Sequence, residues 1–347
     1  MESDQEDIVE DDVTTFIPVG DLGSAQVEAM TGIKAITKIR ALYAAGVPLF
    51  TKENLRYIAQ VQDECRRRGF GIHEVILRGF NGSDVRCEVC NHEPVLEFRI
   101  EYLSIQKLEG LWGWFDPRGD QPWLTIGFKS YMPNRRTSSE GPDNPPATSV
   151  EYLNEGFHFV KTKWEASGYY GRLRRTLASI NPPPVLTKVI GLACGPLCSV
   201  ARAELDHRGI SQHLLLLTLR EAFSNDGRQI ECYSQDPIYN ENEKQILESL
   251  GIRVLEDPMG FVEVDEGSVV VSISPNVPVK QIIADIARPA MIIWYPRLVK
   301  LDPSMETGWT YTDPDSARVD KMLEDYDKIE FPPHFNIGPV ELYVRKH

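Results

Sequence analysis

The sequence predicts an α/β fold: a doubly wound, Rossmann-like parallel sheet of about five strands with an N-terminal α+β extension. Three observations indicate this fold. Short apolar, β-branched runs alternate with helical patterns between residues 185 and 296. The intervening helices are long enough to connect parallel strands by crossovers. Polar residues follow directly after the strands, at the edge of the sheet where such folds bind their ligands.

The five predicted strands alternate with three predicted helices. The strands cover residues 185–194, 229–234, 252–255, 268–273 and 290–294, and the helices cover 211–223, 242–250 and 277–287. Numbered in chain order, the strands should lie in the order 3-2-1-4-5, with the switch point between strands 1 and 4. One crevice should then be surrounded by Gly195–Ser199, Tyr233–Tyr239 and Ser274–Asn276.

The whole chain divides by composition into four parts. Residues 1–28 contain an acidic block and few large apolar groups, which predicts a loose tail. Residues 29–180 form an α+β region with helices at 33–45 and 51–68, a strand-rich stretch at 71–131, a proline-rich loop at 134–149 and a helix at 156–179. The core is expected at 181–300, and 301–347 is expected to be a C-terminal tail.

Charge and composition exclude several classes of protein. The formal net charge of -14 and the pI near 5.1 argue against sequence-independent coating of nucleic acid, and no DNA partner is expected. No run approaches the 18 or so apolar residues that span a bilayer, and the N-terminus is acidic where a signal peptide is basic. The six scattered cysteines suit a reducing compartment, so a cytoplasmic location is expected.

Two cysteines and a histidine raise the question of a metal site. Cys87 and Cys90, followed by His92, have the spacing of half a zinc site. A structural zinc site needs four ligands, and the next cysteines are about a hundred residues away. A turn that carries two thiols is therefore the preferred interpretation, and no metal is expected.

One helical stretch is basic and aromatic in an otherwise acidic chain. Its aromatic residues are Trp164, Tyr169 and Tyr170. Bases and phosphates favour this combination through stacking and charge pairing, whereas a solvated helix face packed by its aromatics is the slightly preferred interpretation. The candidate RNA-binding residues are Lys161, Lys163, Arg172, Arg174 and Arg175.

The strand ends carry the candidate catalytic residues, each with a structural alternative. Ser199 follows strand 1 and is either a helix N-cap or an acyl-accepting nucleophile, although no Gly-x-Ser-x-Gly elbow surrounds it. Asp236 before Pro237 either turns the chain or orients an amine and acts as a base. The glycines of 191–195 only superficially suggest a nucleotide or S-adenosylmethionine site, because the Gly-x-Gly-x-x-Gly pattern fails.

Several motifs in one order resemble a known family. They are Ile190-Gly-Leu-Ala-Cys-Gly, the helix with Gln212, Gln235-Asp-Pro-Ile-Tyr-Asn-Glu, Leu250-Gly251 and Ser274-Pro-Asn-Val-Pro-Val-Lys. Together they resemble the SRR1-like domain over about 185–297, a third of the chain. Within that family, the whole chain is similar to the fungal arginine-containing cyclodipeptide synthases.

The resemblance implies a chemistry and its partners. Two aminoacyl-tRNAs, one of them arginyl-tRNA, would supply activated esters. Attack of one α-amine on the other ester would form a dipeptide, and ring closure would release a diketopiperazine as a fungal secondary metabolite. No ATP and no other cofactor would be needed, which suits the absence of a phosphate-binding loop from the sequence.

The resemblance also suggests roles for residues near the crevice. Carboxylates would bind the guanidinium of arginine. The acidic DDxxE motif of these synthases has no literal copy, and Glu256-Asp257 and Glu324-Asp325 come nearest to it. The catalytic candidates are Ser199, Tyr233, Asp236, Tyr239 and Glu241, and the arginine-binding candidates are Glu256, Asp257 and Asn276.

Two other functions compete with the synthase. A non-enzymatic SRR1-type regulator would use the crevice to bind a partner or a small ligand, and its activity would survive loss of Asp236 or Ser199. An S-adenosylmethionine-dependent methyltransferase is the third hypothesis. The identity of the second amino acid and the oligomeric state are not encoded in any pattern that we find.

Overall fold

The computed structural model describes residues 16–18, 32–69, 71–91, 97–110, 123–131, 149–199, 204–224, 228–296 and 312–346. The helices are α1 (Gly32–Ala44), α2 (Lys52–Arg68), α3 (Ile105–Gly110), α4 (Val150–Glu165), α5 (Gly168–Ala178), α6 (His207–Phe223), α7 (Glu241–Ser249), α8 (Met259–Glu263), α9 (Val279–Ile286) and α10 (Ala317–Leu323). The strands are β1 (Phe16–Pro18), β2 (Gly71–Arg78), β3 (Asp84–Asn91), β4 (Glu97–Tyr102), β5 (Ile126–Tyr131), β6 (Lys188–Leu192), β7 (Cys198–Ser199), β8 (Glu204–Leu205), β9 (Glu231–Gln235), β10 (Arg253–Val254), β11 (Ser268–Ser272), β12 (Met291–Trp294), β13 (Tyr326–Ile329) and β14 (Glu341–Arg345).

A seven-stranded, mostly parallel sheet forms the centre of the α/β fold. Its strand order is β10-β9-β6-β11-β12-β14-β13, and the first five strands are parallel. These five are the predicted strands, and their predicted order of 3-2-1-4-5 is confirmed. The order reverses between β6 and β11, so the carboxyl ends of these two strands flank the switch point.

Two strands of this sheet were not predicted. Residues 326–345, expected to be part of a C-terminal tail, supply β13 and β14, which pair antiparallel at the β12 edge. The expected count of about five strands is therefore too low for this sheet. The cause is that β14 finds its partner β12 about fifty residues earlier in the chain, a distance at which local patterns give no signal.

Alternating residues of the strands face two separate cores. On β6, Val189 packs with the helices α4 to α7, whereas Ile190 packs with α2, α8, α9 and the N-terminal strands. Both side chains are fully buried. Strands that are buried on both faces read as continuous apolar runs, which explains their pattern in the sequence.

The N-terminal α+β region packs directly on the sheet. β1, β3 and β2 form one antiparallel sheet and β4 and β5 form another. Phe50, Tyr102 and Phe261 join this region to α8 through ring contacts of 5.5–6.4 Å. Phe16–Pro18, predicted to be part of a loose tail, is a strand, and the rest of residues 1–28 lies outside the described residues. So does most of the predicted loop at 134–149.

The predicted basic-aromatic helix consists of two helices. α4 ends at Glu165, and Ser167 caps α5 by accepting a hydrogen bond from the Tyr170 backbone N–H. Capping serines favour a new helix start over continuation, and this accounts for the break. Leu153, Phe157 and Leu173 lie on the buried faces of the two helices.

The half zinc site lies only partly within the described ranges. Cys87 lies in β3 with its thiol buried, and desolvation raises its pKa to about 12. No group of three or more metal-ligating side chains occurs there, whereas His92 lies outside these ranges. Among the same residues, no helix combines the length and apolarity that a membrane span requires.

Candidate functional site

The turns after β6 and β9, which were predicted to surround one crevice, meet at the Asp236 carboxylate. β6 ends at Leu192, and the chain turns through Gly195, which has a positive φ of 76°. The Gly195 backbone N–H donates to Asp236 Oδ2 at 2.8 Å, and the Ile238 backbone N–H donates to Oδ1 at 3.1 Å. The first bond ties the end of β9 to the turn after β6, and the second lies within the turn after β9.

Asp257 lies beyond the adjacent strand β10 and bonds to the N-terminal region. Its Oδ1 accepts a hydrogen bond from the Tyr102 hydroxyl at 2.6 Å and another from Gln235 Nε2 at 2.8 Å. The Gln235 side-chain oxygen in turn accepts from the Gly260 backbone N–H. No described residue donates to Asp257 Oδ2, so this oxygen is the one left for a ligand.

The two aspartates are electrostatically coupled. Burial raises the pKa of Asp236, and its two backbone hydrogen bonds and the Arg99 cation oppose that rise. Burial raises the pKa of Asp257 to about 7, and the negative charge of Asp236 contributes to the rise. A carboxyl with such a pKa can accept and return a proton near neutral pH.

Asp257 should make the stability of the fold depend on pH. Its folded-state pKa is about 7, above the ordinary value of 3.8. The folded protein therefore binds more protons than the unfolded chain between these values, and the free energy of unfolding falls as pH rises through this window. The free energy of unfolding of Asp257→Asn minus that of the wild type should therefore be larger at pH 8 than at pH 5. Urea unfolding of both proteins at both pH values measures the difference, and an equal difference at the two pH values would contradict it.

A second carboxylate shapes the loop after β6. Glu243 Oε1 accepts the backbone N–H groups of Leu197 at 2.6 Å and Cys198 at 3.1 Å, and its Oε2 accepts that of Asn240 at 2.9 Å. Its side chain is buried, and desolvation raises its pKa. Glu243 thus fixes the loop as a buried structural acceptor of three backbone N–H groups.

Tyr239 belongs to a buried chain of hydrogen bonds under the crevice. Its hydroxyl lies 2.8 Å from His213 Nε2 and 2.7 Å from Ser234 Oγ. His213 Nδ1 lies 2.7 Å from the Gly209 carbonyl, which can only accept, so Nδ1 carries the proton. Burial lowers the pKa of His213 to about 4, and the imidazole is neutral. Tyr239 therefore supports the crevice floor and does not face a substrate.

Ser199 lies in a small hairpin beside the crevice. It belongs to β7, which pairs antiparallel with β8, and its side chain is half-buried. Among the described residues, none forms a hydrogen bond with the Ser199 hydroxyl. The alternative role as a helix N-cap is wrong, because Asp206 caps α6.

Three other candidates lie away from the coupled aspartates. The Tyr233 hydroxyl points back along β9 to Glu231 Oε2 at 2.8 Å, away from the carboxyl end of the strand. Glu241 and Glu256 are 88% and 62% exposed in their side chains, and both pair with Lys244. Glu256 and Asp257 lie in the loop after β10, where Glu256 is exposed and Asp257 is half-buried.

The turn after β11 brings Asn276 to the surface. Asn276 is exposed, and Thr312 Oγ1 donates to the neighbouring Pro275 carbonyl. Below it, the Lys280 ammonium is buried and pairs with Asp315 at 3.0 Å. Asp313 accepts the Lys280 backbone N–H, and burial raises its pKa to about 7. This cluster closes the 312–316 segment over α9.

The basic candidates lie on α4 and α5, and one of them contacts the end of α6. Arg174 pairs with Glu221 at 2.6 Å near the end of α6. α6 begins at the crevice, and 14 residues separate His207 from Glu221, which corresponds to about 21 Å along the helix. The remaining candidates are Lys161, which lies 3.7 Å from Glu165, and the exposed Lys163, Arg172 and Arg175.

The sequence did not identify the residues that complete the site. Tyr102 and Arg99 come from β4, more than 130 residues before Asp236, and no local pattern marks them. His213 lies in a leucine-rich helix, where no sequence pattern distinguishes it from an ordinary polar residue. A signal was available only for Glu243, since Asn240-x-x-Glu243 is the spacing of a capping box.

Comparisons with known proteins identify a domain but little else. The sequence profile described as SRR1 domain matches residues 173–303. No curated protein matches the chain.

Two solved structures are similar in part, both from Haemonchus contortus. One is phosphoethanolamine N-methyltransferase 2 in complex with phosphomonomethylethanolamine and S-adenosylhomocysteine, with 10% identity, a TM-score of 0.27 and coverage of 67% of this chain and 53% of that chain. The other is phosphoethanolamine N-methyltransferase 1 in complex with phosphoethanolamine and S-adenosylhomocysteine, with 14% identity, a TM-score of 0.21 and coverage of 49% and 37%.

The present chain thus spans about half or less of the length of these two enzymes, and structural similarity of this extent carries no argument about function. The profile match, by contrast, covers the crevice. Both Asp236 and Asp257 lie inside it, as do five strands of the central sheet. Residues 173–303 of this chain therefore form an SRR1-like domain.

Proposed function

We propose that the chain is a tRNA-dependent cyclodipeptide synthase that condenses arginine from arginyl-tRNA with a second aminoacyl residue, on a Rossmann-like, doubly wound core. The observation that supports this most is the coupled pair Asp236 and Asp257 at the ends of adjacent strands. Two carboxylates at neighbouring strand ends suit a cationic substrate that must also lose a proton.

The two aspartates take different roles in the proposed reaction. Asp236 is held by two backbone N–H groups that favour its anionic form, and each oxygen retains a lone pair for an ammonium or guanidinium group. Asp257, whose Oδ2 accepts no hydrogen bond from a described residue and whose pKa is about 7, accepts the proton of the attacking α-ammonium group. This assigns substrate binding to Asp236 and proton transfer to Asp257.

The bond changes require no external energy source. The freed α-amine attacks the ester carbonyl of the other aminoacyl-tRNA, a C–N bond forms and the C–O ester bond breaks. The departing tRNA oxygen takes up the proton from Asp257, and the new amide nitrogen gives its surplus proton to the Asp257 carboxylate, which releases it to solvent. The second α-amine then attacks the remaining ester in the same way, which closes the six-membered ring and releases the second tRNA. Both steps exchange an ester for an amide, so neither consumes ATP.

The helical layer would carry the body of the tRNA. Lys163, Arg172 and Arg175 are exposed on α4 and α5, on the face of the sheet opposite the N-terminal region. Because α6 separates Arg174 from the crevice by about 21 Å, only a large substrate can contact both places at once. Two binding regions so far apart favour a macromolecular aminoacyl donor over a free amino acid.

Expression in a bacterial host tests the proposal. We expect an arginine-containing cyclic dipeptide in the medium by mass spectrometry, with an arginine-derived mass shift when labelled arginine is supplied. The same host carrying the empty vector is the control. Soluble protein without such a product would remove the synthase and favour an SRR1-type regulator that binds a ligand without chemistry.

A further inference from the structure

A solvent-exposed phenylalanine marks the loop between β13 and β14. Phe335 is 98% exposed, the most exposed large apolar side chain of the described residues. It packs against no core, so the fold gains nothing from its ring. Single exposed apolar side chains are common on protein surfaces, so the case for a partner rests on what surrounds this ring.

The loop that carries Phe335 is fixed on both sides. The His334 ring lies 4.4 Å from the Tyr169 ring and 4.9 Å from the Trp164 ring, measured between centroids. Ile337 is buried in the core of the helical layer, and Asn336 Nδ2 donates to Ser211 Oγ at 3.1 Å. The ring of Phe335 is therefore presented from a loop whose neighbouring residues are all anchored.

The surface next to this loop is cationic and aromatic. Arg172 is close enough to Tyr169 for its charge to oppose the rise in the pKa of the tyrosine hydroxyl that burial causes. Lys163 lies 4.1 Å above the ring of Phe159, which is itself 55% exposed. Neither Lys163 nor Arg172 has an ion-pair partner among the residues that the structure describes, so both charges are available to a phosphate.

We propose that Phe335 stacks on an unpaired base of the RNA that lies along α4 and α5. The inference rests on the proposed function, since it names a contact of the same tRNA. A base suits the site because its flat face matches a single exposed ring, while the adjacent cations match the phosphates on either side of it. A lipid surface is bound by the broad apolar face of an amphipathic helix, whereas Phe335 is a single exposed ring on a loop.

Binding of fluorescently labelled, deacylated tRNA to the purified full chain tests the contact. Stacking of one base on an aromatic ring corresponds to about 1–3 kcal/mol, so Phe335→Ala should raise Kd about 5- to 150-fold. Phe335→Trp should retain the affinity, because indole also stacks. Ile72→Ala, which removes another exposed apolar side chain (57%) on β2, should leave Kd unchanged.

The outcomes separate this inference from the proposed function. Normal tRNA affinity of Phe335→Ala, or equal losses in Phe335→Ala and Ile72→Ala, would overturn the stacking contact alone. A wild-type protein that binds no tRNA would overturn both. If Phe335→Ala lost binding to phosphatidylserine vesicles and kept its tRNA affinity, Phe335 would be assigned to a membrane contact and the stacking contact would be overturned.

Discussion

Asp257→Asn is expected to lower the rate of cyclic dipeptide formation by about 100- to 10,000-fold, the range that a lost general base commonly costs. Asparagine keeps the size of the side chain, and its carbonyl oxygen can still accept from Tyr102 and Gln235. It cannot accept a proton near neutral pH. The measurement is the rate of product release by purified protein, with mass-spectrometric detection.

The activity loss should accompany unchanged or increased stability at pH 8, because the substitution removes a carboxyl whose burial raises its pKa to about 7. This combination distinguishes a catalytic role from a structural one, in which stability and activity would fall together. Glu266→Gln is the matched control, since Glu266 is exposed before the start of β11, at the opposite edge of the sheet. Full activity of Asp257→Asn would contradict the assignment of the proton acceptor.

Gly209→Ala is expected to destabilise the fold by about 3 kcal/mol or more, or to prevent soluble expression. Gly209 lies in the first turn of α6, and a Cβ there would approach the Pro196 carbonyl oxygen to 1.9 Å. The obstacle is backbone, so α6 or the turn after β6 must move. Such a shift would also disturb the bond between the Gly209 carbonyl and His213.

Gly171→Ala provides the control for that substitution. Gly171 lies in α5, and a Cβ there would meet nothing within 4 Å. Alanine is a better helix former than glycine by up to about 1 kcal/mol, so this variant should be slightly more stable than the wild type. Thermal and urea unfolding of both variants measure the contrast. Similar stability of Gly209→Ala and Gly171→Ala would contradict the close packing of α6 on the crevice loop.

The sequence predicted the parallel part of the sheet because each of its strands is a local signal. Val269, Val270 and Val271 are all fully buried, and such runs stand out between helical patterns. β14 carries a comparable run in Leu342–Val344, but its place depends on pairing with β12, which no local pattern encodes. The same distinction between local patterns and long-range pairing applies to the residues of the crevice.

Asp236 was predicted from its position after a strand, whereas most of the residues around the site were not predicted. The Gly195 N–H that binds it follows from the strand order, since both lie at adjacent strand ends. Tyr102, which bonds to the companion Asp257, arrives from β4 through tertiary packing. Glu241 and Glu256 show the converse case: both lie close to the predicted crevice in sequence, yet their exposed side chains pair with Lys244. Glu241 is the first residue of α7 and Glu256 lies in the loop after β10, so no strand pattern predicts their directions.

The most direct test of the central claim supplies the purified chain with arginyl-tRNA carrying labelled arginine, together with a second aminoacyl-tRNA, in the absence of ATP. We predict a labelled cyclic dipeptide that forms without ATP, disappears when ribonuclease is added first, and is strongly reduced with Asp257→Asn. No labelled cyclic product, or a product that requires ATP and free arginine, would contradict the account.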